Sequence, residues 1–137
     1  MFELFAAGCM LLLLDQWSKR TVQVRLSKRC ISWGRFMRIR LVSNLKYSNH
    51  CVRSRAMLVL IWSMALASAL ILYRLGANFQ SHTALIGLGS AFGGAAGNLS
   101  DILRRRSIID FIDLGWWPAF NLADAAITGG IALAFWS

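Results

Sequence analysis

Four apolar segments dominate the sequence and restrict the folds open to it. They lie at about 2–17, 56–73, 83–103 and 119–136, and each approaches the roughly 20 residues that a helix needs to cross the hydrocarbon core of a bilayer. Backbone polar groups in lipid must be satisfied within their own segment, so these segments are predicted to be helices. We therefore expect an all-α membrane protein, with a single integral-membrane domain over residues 1–137 that forms a four-transmembrane-helix bundle.

The charge balance indicates what this chain binds. Hydrophobic residues make up 57% of the sequence, and fifteen Lys and Arg face six Asp and Glu, for a net charge of +9. These basic residues cluster between the apolar segments instead of covering a water-soluble fold, so nucleic acid is not expected as a partner. Anionic phospholipid headgroups are the expected partner.

The connection between the first two apolar segments, about residues 20–54, is predicted to be a surface loop with a small extramembrane β element. Apolar and polar residues alternate over 22–27 and again over 37–41, which is typical of short half-buried strands. The three cysteines, Cys9, Cys30 and Cys51, lack the spacing of a metal site, so no metal is expected. They are packing residues, or Cys30 and Cys51 form a bridge if their loop faces an oxidising compartment.

The acidic residues carry the clearest functional signal, because a charge at the centre of a bilayer costs about 2.5–3.5 kcal/mol. Glu3 is expected to be solvated at the N-terminus. With four spans, the ends of the first and third segments and the starts of the second and fourth lie at one membrane surface. The remaining five acids should therefore gather there: Asp15, Asp101, Asp110, Asp113 and Asp124.

Two pairs of polar residues are placed to act together at that surface. Asn98 precedes Asp101 by three residues, and Asn121 precedes Asp124 by three, so each helix can direct an amide and a carboxylate the same way. Two neighbouring carboxylates in a poorly hydrated site do not both ionise cheaply, so one keeps its proton. Such a pair can activate water and cleave an amide without a covalent intermediate. The alternative, in which individual aspartates cap helices or pair with arginines, stays open.

The polar blocks, in order, resemble the motifs of the lipoprotein signal peptidase (signal peptidase II) family. Their order and spacing agree with that family, as does the four-helix plan. The blocks are Asp15-Gln16-Trp17-Ser18-Lys19, Gly93-Gly94-Ala95-Ala96-Gly97-Asn98-Leu99-Ser100-Asp101, Ile109-Asp110-Phe111-Ile112-Asp113 and Pro118-Ala119-Phe120-Asn121-Leu122-Ala123-Asp124.

The resemblance implies an aspartic endopeptidase of the bacterial inner (cytoplasmic) membrane, and we expect it to be a monomer that needs no cofactor. Its partners would be lipid-modified prolipoproteins, which it would cut just before the diacylglyceryl-modified cysteine. The family's catalytic dyad corresponds to Asp110 and Asp124. The positions that bind substrate or shape the site correspond to Asp15, Lys19, Asn44, Asn98, Asp101, Asp113 and Asn121.

Some positions depart from the family pattern. Ile102 lies where the family usually has Arg, and Arg106 where it usually has Gly; the middle motif is reduced to Asn44 followed by residues 45–49. An alternative is therefore a divergent or non-catalytic paralogue that binds lipoprotein precursors or lipopeptides without cutting them. A four-helix transporter is disfavoured, because its essential acid would lie near the bilayer midplane.

The distribution of positive charge conflicts with the orientation that the resemblance implies. Eleven Lys and Arg lie between Asp15 and Ala56, and the run Arg104–Arg106 adds three more on the same side. The positive-inside rule predicts that this side is cytoplasmic. The resemblance places the site on the periplasmic or outer side, and we follow it, with the arginine run predicted to anchor headgroups or to grip substrate.

Overall fold

The computed structural model describes residues 2–26, 31–33, 37–43, 81–105 and 107–136. The second predicted helix (56–73), Asn44 and any Cys30–Cys51 bridge lie outside these residues. The described elements are the helices α1 (Phe2–Leu26), α2 (His82–Arg105) and α3 (Leu122–Trp136) and the strands β1 (Ile31–Trp33), β2 (Met37–Ser43) and β3 (Ile109–Asp113).

Helix α2 is central, and glycines on two of its faces let both other helices approach closely. A Cβ on Gly93 would collide with the backbone of Gly8 in α1, and one on Gly87 would lie 2.5 Å from the carbonyl oxygen of Gly130 in α3. Gly89, Gly93 and Gly97, which recur every four residues, therefore form a packing surface for α1.

The order of these contacts fixes the direction of each helix. From Gly89 through Gly93 to Gly97, the nearest α1 partner advances from Leu4 to Asp15, so α1 and α2 run parallel. Along α2 the α3 partner instead moves backwards, so α3 is antiparallel to both. The C-terminal ends of α1 and α2 and the start of α3 consequently meet at one end of the bundle.

Helix α1 is longer than predicted. The sequence predicted its end near residue 17 and a strand over residues 22–27, but the helix continues to Leu26, so the strand prediction is wrong. Asp15, Lys19, Val22 and Leu26 are all buried. Their spacing of three and four keeps the helical period, and Val22 and Leu26 pack against Phe111.

The β element is a three-stranded antiparallel sheet in the order β1-β2-β3. Ile39 of β2 pairs with Ile112 of β3, and Val42 with Asp110, with an irregularity between them. Since β3 comes from the connection between α2 and α3, the prediction that this element lies wholly between the first two helices is wrong. The cause is a long-range pairing, which local alternation does not reveal.

The third and fourth predicted helices correspond to α2 and α3. Helix α2 extends the predicted range 83–103 by one to two residues at each end, whereas α3 begins at Leu122 instead of about residue 119. Phe120 lies outside the helix because it forms a bridge with Ile112 of β3. Across the described ranges, the helices include none with both the length and the apolarity to cross a bilayer.

Candidate active site

Acidic and amide side chains collect where the three helix ends meet the sheet. Each main element contributes: Asp15 and Lys19 come from α1, Asn98 and Asp101 from α2, Asp110 from β3, and Asn121 and Asp124 from the start of α3. Asp124 is half-buried and the others are buried. Of the nine residues predicted from the sequence, the structure therefore brings seven together.

One half of this cluster is a set of ion pairs centred on Lys19, which is fully buried. Its Nζ lies 2.7 Å from Asp15 Oδ2 and 2.8 Å from Asp101 Oδ2. The Nη1 of Arg105 approaches the other oxygen of Asp101 at 2.9 Å. Two cations thus balance two carboxylates. This balance is what makes buried charges tolerable away from water.

The other half holds its carboxylates with neutral amides. The side-chain amide of Asn121 donates to Asp110 Oδ1 at 2.9 Å, and that of Asn98 donates to Asp124 Oδ1 at 2.8 Å. Considering the described residues alone, neither Asp110 nor Asp124 has an ion-pair partner. The two carboxylates therefore differ from Asp15 and Asp101 in their surroundings.

The start of α3 ties Asp124 to Asn121. The Asn121 side-chain oxygen accepts a hydrogen bond from the Asp124 backbone N–H at 3.0 Å, and Asp124 Oδ2 accepts one from the Asn121 backbone N–H at 3.2 Å. This reciprocal arrangement is a capping box that begins the helix at Leu122. Because Asn121 also donates to Asp110, it links the two carboxylates. The helix N-terminus favours a negative charge on Asp124.

The Asp110 carboxyl has an altered acidity. Burial and, second to it, the nearby charge of Asp124 raise its pKa from the ordinary value of 3.8 to about 6. The hydrogen bond from Asn121 acts in the opposite sense, because it favours the ionised form. A protonated Asp110 next to an ionised Asp124 is therefore accessible close to neutral pH.

Of the remaining two predicted residues, the structure describes one, which lies apart from the cluster. Asp113 lies at the far end of β3 from Asp110, where its Oδ1 accepts a hydrogen bond at 2.9 Å from the backbone N–H of Gly115. Gly115 has a φ of 79°, so this carboxylate stabilises a turn that favours glycine. Asn44 lies outside the residues that the structure describes.

Two residues of the cluster were absent from the predicted site. The Gln16 side-chain amide donates to Asp101 Oδ1 and to the Gly97 carbonyl, each at 3.2 Å. Its place inside the first motif was the available signal. Arg105 was predicted only as part of the arginine run that anchors headgroups or grips substrate, although its position four residues after Asp101 is the spacing of a helical ion pair.

Comparisons with known proteins agree on one family. The family model described as signal peptidase (SPase) II matches residues 7–137. A lipoprotein signal peptidase from Syntrophomonas wolfei subsp. wolfei is 36% identical over 129 residues, covering 90% of this chain and 85% of that protein. A lipoprotein signal peptidase from Geobacter metallireducens is 40% identical over 83 residues, which cover 58% of this chain and 51% of that protein.

Solved structures share the fold. A bacterial membrane enzyme determined by the in meso method at 1.9 Å resolution has a TM-score of 0.82 and 18% identity, covering 98% of this chain and 91% of that chain. A second bacterial membrane enzyme, determined by the same method at 2.3 Å, has a TM-score of 0.78 and 19% identity, with coverages of 97% and 85%. At this identity the likeness concerns the fold.

Proposed function

We propose that this chain, which belongs to the signal peptidase (SPase) II family, removes signal peptides from lipoprotein precursors in a bacterial membrane. The family model covers nearly the whole chain. The relatives carry the name lipoprotein signal peptidase, and the proteins of similar fold are bacterial membrane enzymes. The substrate bond is the one before the lipid-modified cysteine of the precursor.

The peptidase is of the aspartic type, with Asp110 and Asp124 as its catalytic residues. The observation that carries this assignment is the contrast within the cluster. Asp15 and Asp101 are neutralised by Lys19 and Arg105, whereas Asp110 and Asp124 accept hydrogen bonds from amides. A carboxylate without a bound cation remains able to exchange a proton with water or substrate, which acid–base catalysis requires.

In this mechanism the two carboxylates have different roles. Asp124, at the helix N-terminus, is ionised and removes a proton from a water molecule, whose oxygen attacks the scissile carbonyl carbon. Asp110, which keeps a protonated fraction near neutral pH because its pKa is raised to about 6, donates a hydrogen bond from that form to the carbonyl oxygen. The proton taken by Asp124 then passes to the departing amine nitrogen as the C–N bond breaks. No covalent intermediate forms.

The cleavage test compares conservative variants of the acids. Asp110→Asn and Asp124→Asn should each lower kcat/KM on a lipid-modified prolipoprotein by roughly 10²–10⁴-fold, since proton transfer contributes about that much. Glu3→Gln also replaces an acid by its amide, but at the opposite end of the bundle. It is the matched control, and its kcat/KM should be unchanged. Unchanged turnover in both Asp variants would contradict the dyad. If the wild-type protein bound the precursor but did not cut it, the chain would instead be a non-catalytic relative.

The site faces the periplasmic side of the inner membrane in this proposal. The structure offers two exposed reporters at opposite ends of the bundle, since Trp116 lies in the connection from β3 to the start of α3 and His82 begins α2 at the other end. Trp116→Cys and His82→Cys can be made in a chain whose three native cysteines are replaced. An impermeant thiol reagent applied outside spheroplasts should label the first and spare the second. The reverse labelling would contradict this orientation.

A further inference from the structure

The outer face of α1 carries a continuous stripe of exposed side chains. Met10, Leu13, Trp17 and Val24 expose between 57% and 75% of their surface, and Arg20 is also exposed. Counted with Arg20, each residue of this stripe follows the one before it by three or four positions. They therefore lie on one side of the helix. The buried face of α1, which carries Asp15 and Lys19, points away from them.

At the C-terminal end of this stripe lies an open cavity of about 310 Å³, lined by Trp17, Arg20, Thr21, Val24 and Arg25. Within the part of the chain that the structure describes, neither Arg20 nor Arg25 has an acid within ion-pairing distance. Four acids near this end of the bundle point into the buried cluster instead: Asp15, Asp101, Asp110 and Asp124. Two uncompensated guanidinium groups at a partly apolar cavity make it complementary to an anion with apolar substituents.

The length of the stripe matches one leaflet of a bilayer. Ten residues separate Met10 from Arg20, which at about 1.5 Å per residue is roughly 15 Å, half the thickness of a hydrocarbon core of about 30 Å. Along this distance apolar side chains give way to Trp17 and then to arginine. Tryptophan favours the interface and arginine the phosphate level, so the order matches that of a phospholipid from acyl chain to headgroup.

We propose that this stripe binds one anionic phospholipid, with the phosphate between Arg20 and Arg25 and an acyl chain along Leu13 and Met10. The inference rests on the proposed location in a membrane. The phosphate distinguishes this occupant from the diacylglyceryl group of a precursor, which carries no charge for the two arginines to bind. The lipid would hold the end of α1, and with it Asp15 and Lys19, at a fixed depth in the membrane.

Native mass spectrometry of the full chain in detergent tests this directly, and its readout does not depend on cleavage. The protein is titrated with phosphatidylglycerol or with phosphatidylcholine. Wild-type protein should retain one phosphatidylglycerol in preference to phosphatidylcholine. The variant Arg20→Gln/Arg25→Gln should bind phosphatidylglycerol roughly 25-fold more weakly, because each arginine near an anionic headgroup contributes about fivefold.

The matched control, Arg38→Gln/Arg104→Gln, removes the same charge from two other exposed positions and should keep the preference. Leu13→Ser should weaken retention of both lipids without changing the preference between them. Equal retention of the two lipids by wild-type protein overturns the proposal, as does a preference that survives loss of Arg20 and Arg25. Displacement by glycerol phosphate alone, or by a neutral diacylglyceryl-cysteine peptide, would assign the stripe to another ligand and also overturn it.

Discussion

Lys19 donates a hydrogen bond to Asn98 Oδ1 at 3.0 Å, and this contact determines which way the Asn98 amide faces. The same oxygen also accepts from Asn121 Nδ2 at 3.1 Å. With two donors at its oxygen, Asn98 must present its own NH₂ group to Asp124. The ion-paired half of the cluster therefore positions a donor for the half that we propose to be catalytic, although Lys19 itself contacts neither Asp110 nor Asp124 through a hydrogen bond.

Replacing Lys19 should destabilise the protein strongly. Lys19→Met leaves Asp15 buried without its cation, which typically costs about 3–5 kcal/mol. The double variant Lys19→Met/Asp15→Asn should recover part of this loss, because the side-chain oxygen of Asn can still accept from the Ala123 backbone N–H as Asp15 does. Denaturant unfolding in detergent measures both, with the exposed neighbour variant Arg20→Met as control. If the single and double variants were equally stable, an uncompensated charge on Asp15 would not be the cause of the loss.

The pH dependence of cleavage should report the Asp110 carboxyl. If protonated Asp110 is required, kcat/KM of the wild-type enzyme falls as the pH rises through about 6. Asn121→Ser removes the amide that favours the ionised form of Asp110, so the pKa rises and the basic limb moves to higher pH, by roughly half to one pH unit. Serine retains the helix cap, so α3 still begins in place. A limb that stays fixed or moves to lower pH would contradict the assignment.

Folding stability should show the same ionisation. Protonated Asp110 stabilises the folded state, because its folded-state pKa lies above its ordinary value of 3.8. This contribution is fully present below the ordinary pKa and is lost as the pH rises through about 6. Asp110→Asn does not ionise and escapes this loss. Relative to wild type, the variant should therefore gain up to about 3 kcal/mol between about pH 4 and pH 8. Unfolding curves at both pH values measure the gain, and an equal pH dependence of the variant and wild type would contradict it.

Arg105 should matter more than its exposed neighbour Arg104. Arg105 is paired with Asp101 at 2.9 Å and its side chain is 30% exposed, so Arg105→Met should cost about 1 kcal/mol, more than an exposed pair but less than the buried Lys19. Arg104→Met removes the same charge one residue earlier and should be close to neutral. Comparing unfolding midpoints of the two variants decides this. Similar losses in both would indicate a general effect of charge.

The convergence of the acids could be predicted because it depends on few facts. Helices of adequate length, with an acid near the appropriate end of each, place those acids together whatever the detailed packing. The i,i+3 spacing of Asn121 and Asp124 likewise indicated a shared direction, and the structure adds that the same pair caps α3. Had the capping pattern been applied, the start of α3 at Leu122 would also have followed from the sequence.

Long-range pairing explains most of what the sequence did not predict. Period-two alternation over residues 22–27 resembled a strand, yet contacts with Phe111 of β3 keep Val22 and Leu26 in a helix. The alternating run Ile109–Asp113 was interpreted only as a motif, because its partner β2 lies far away in the sequence. The i,i+4 spacing could indicate the ion pairs of Lys19 and Arg105. The amide contacts of Asp110 and Asp124 were not accessible, since they depend on which side chains of β3, α2 and α3 touch.

Gly97 offers the sharpest test of how helix packing supports the site. A Cβ at this position would lie 2.5 Å from Asp15 Oδ2. Asp15 has little room to move, because its other oxygen accepts from the Ala123 backbone N–H at 3.0 Å, next to Asp124. Gly97→Ala should therefore destabilise the protein by about 1–3 kcal/mol and lower kcat/KM as well.

Gly129 is the matched control, because nothing lies within 4 Å of a Cβ built there. Gly129→Ala should leave cleavage unchanged and stabilise α3 by up to about 1 kcal/mol, since alanine favours helix more than glycine does. Unfolding in detergent and cleavage of a lipid-modified precursor measure both variants. The prediction assumes that the close contact between α2 and Asp15 holds the start of α3, and with it Asp124, in position. If Gly97→Ala were tolerated as well as Gly129→Ala, that assumption would be wrong.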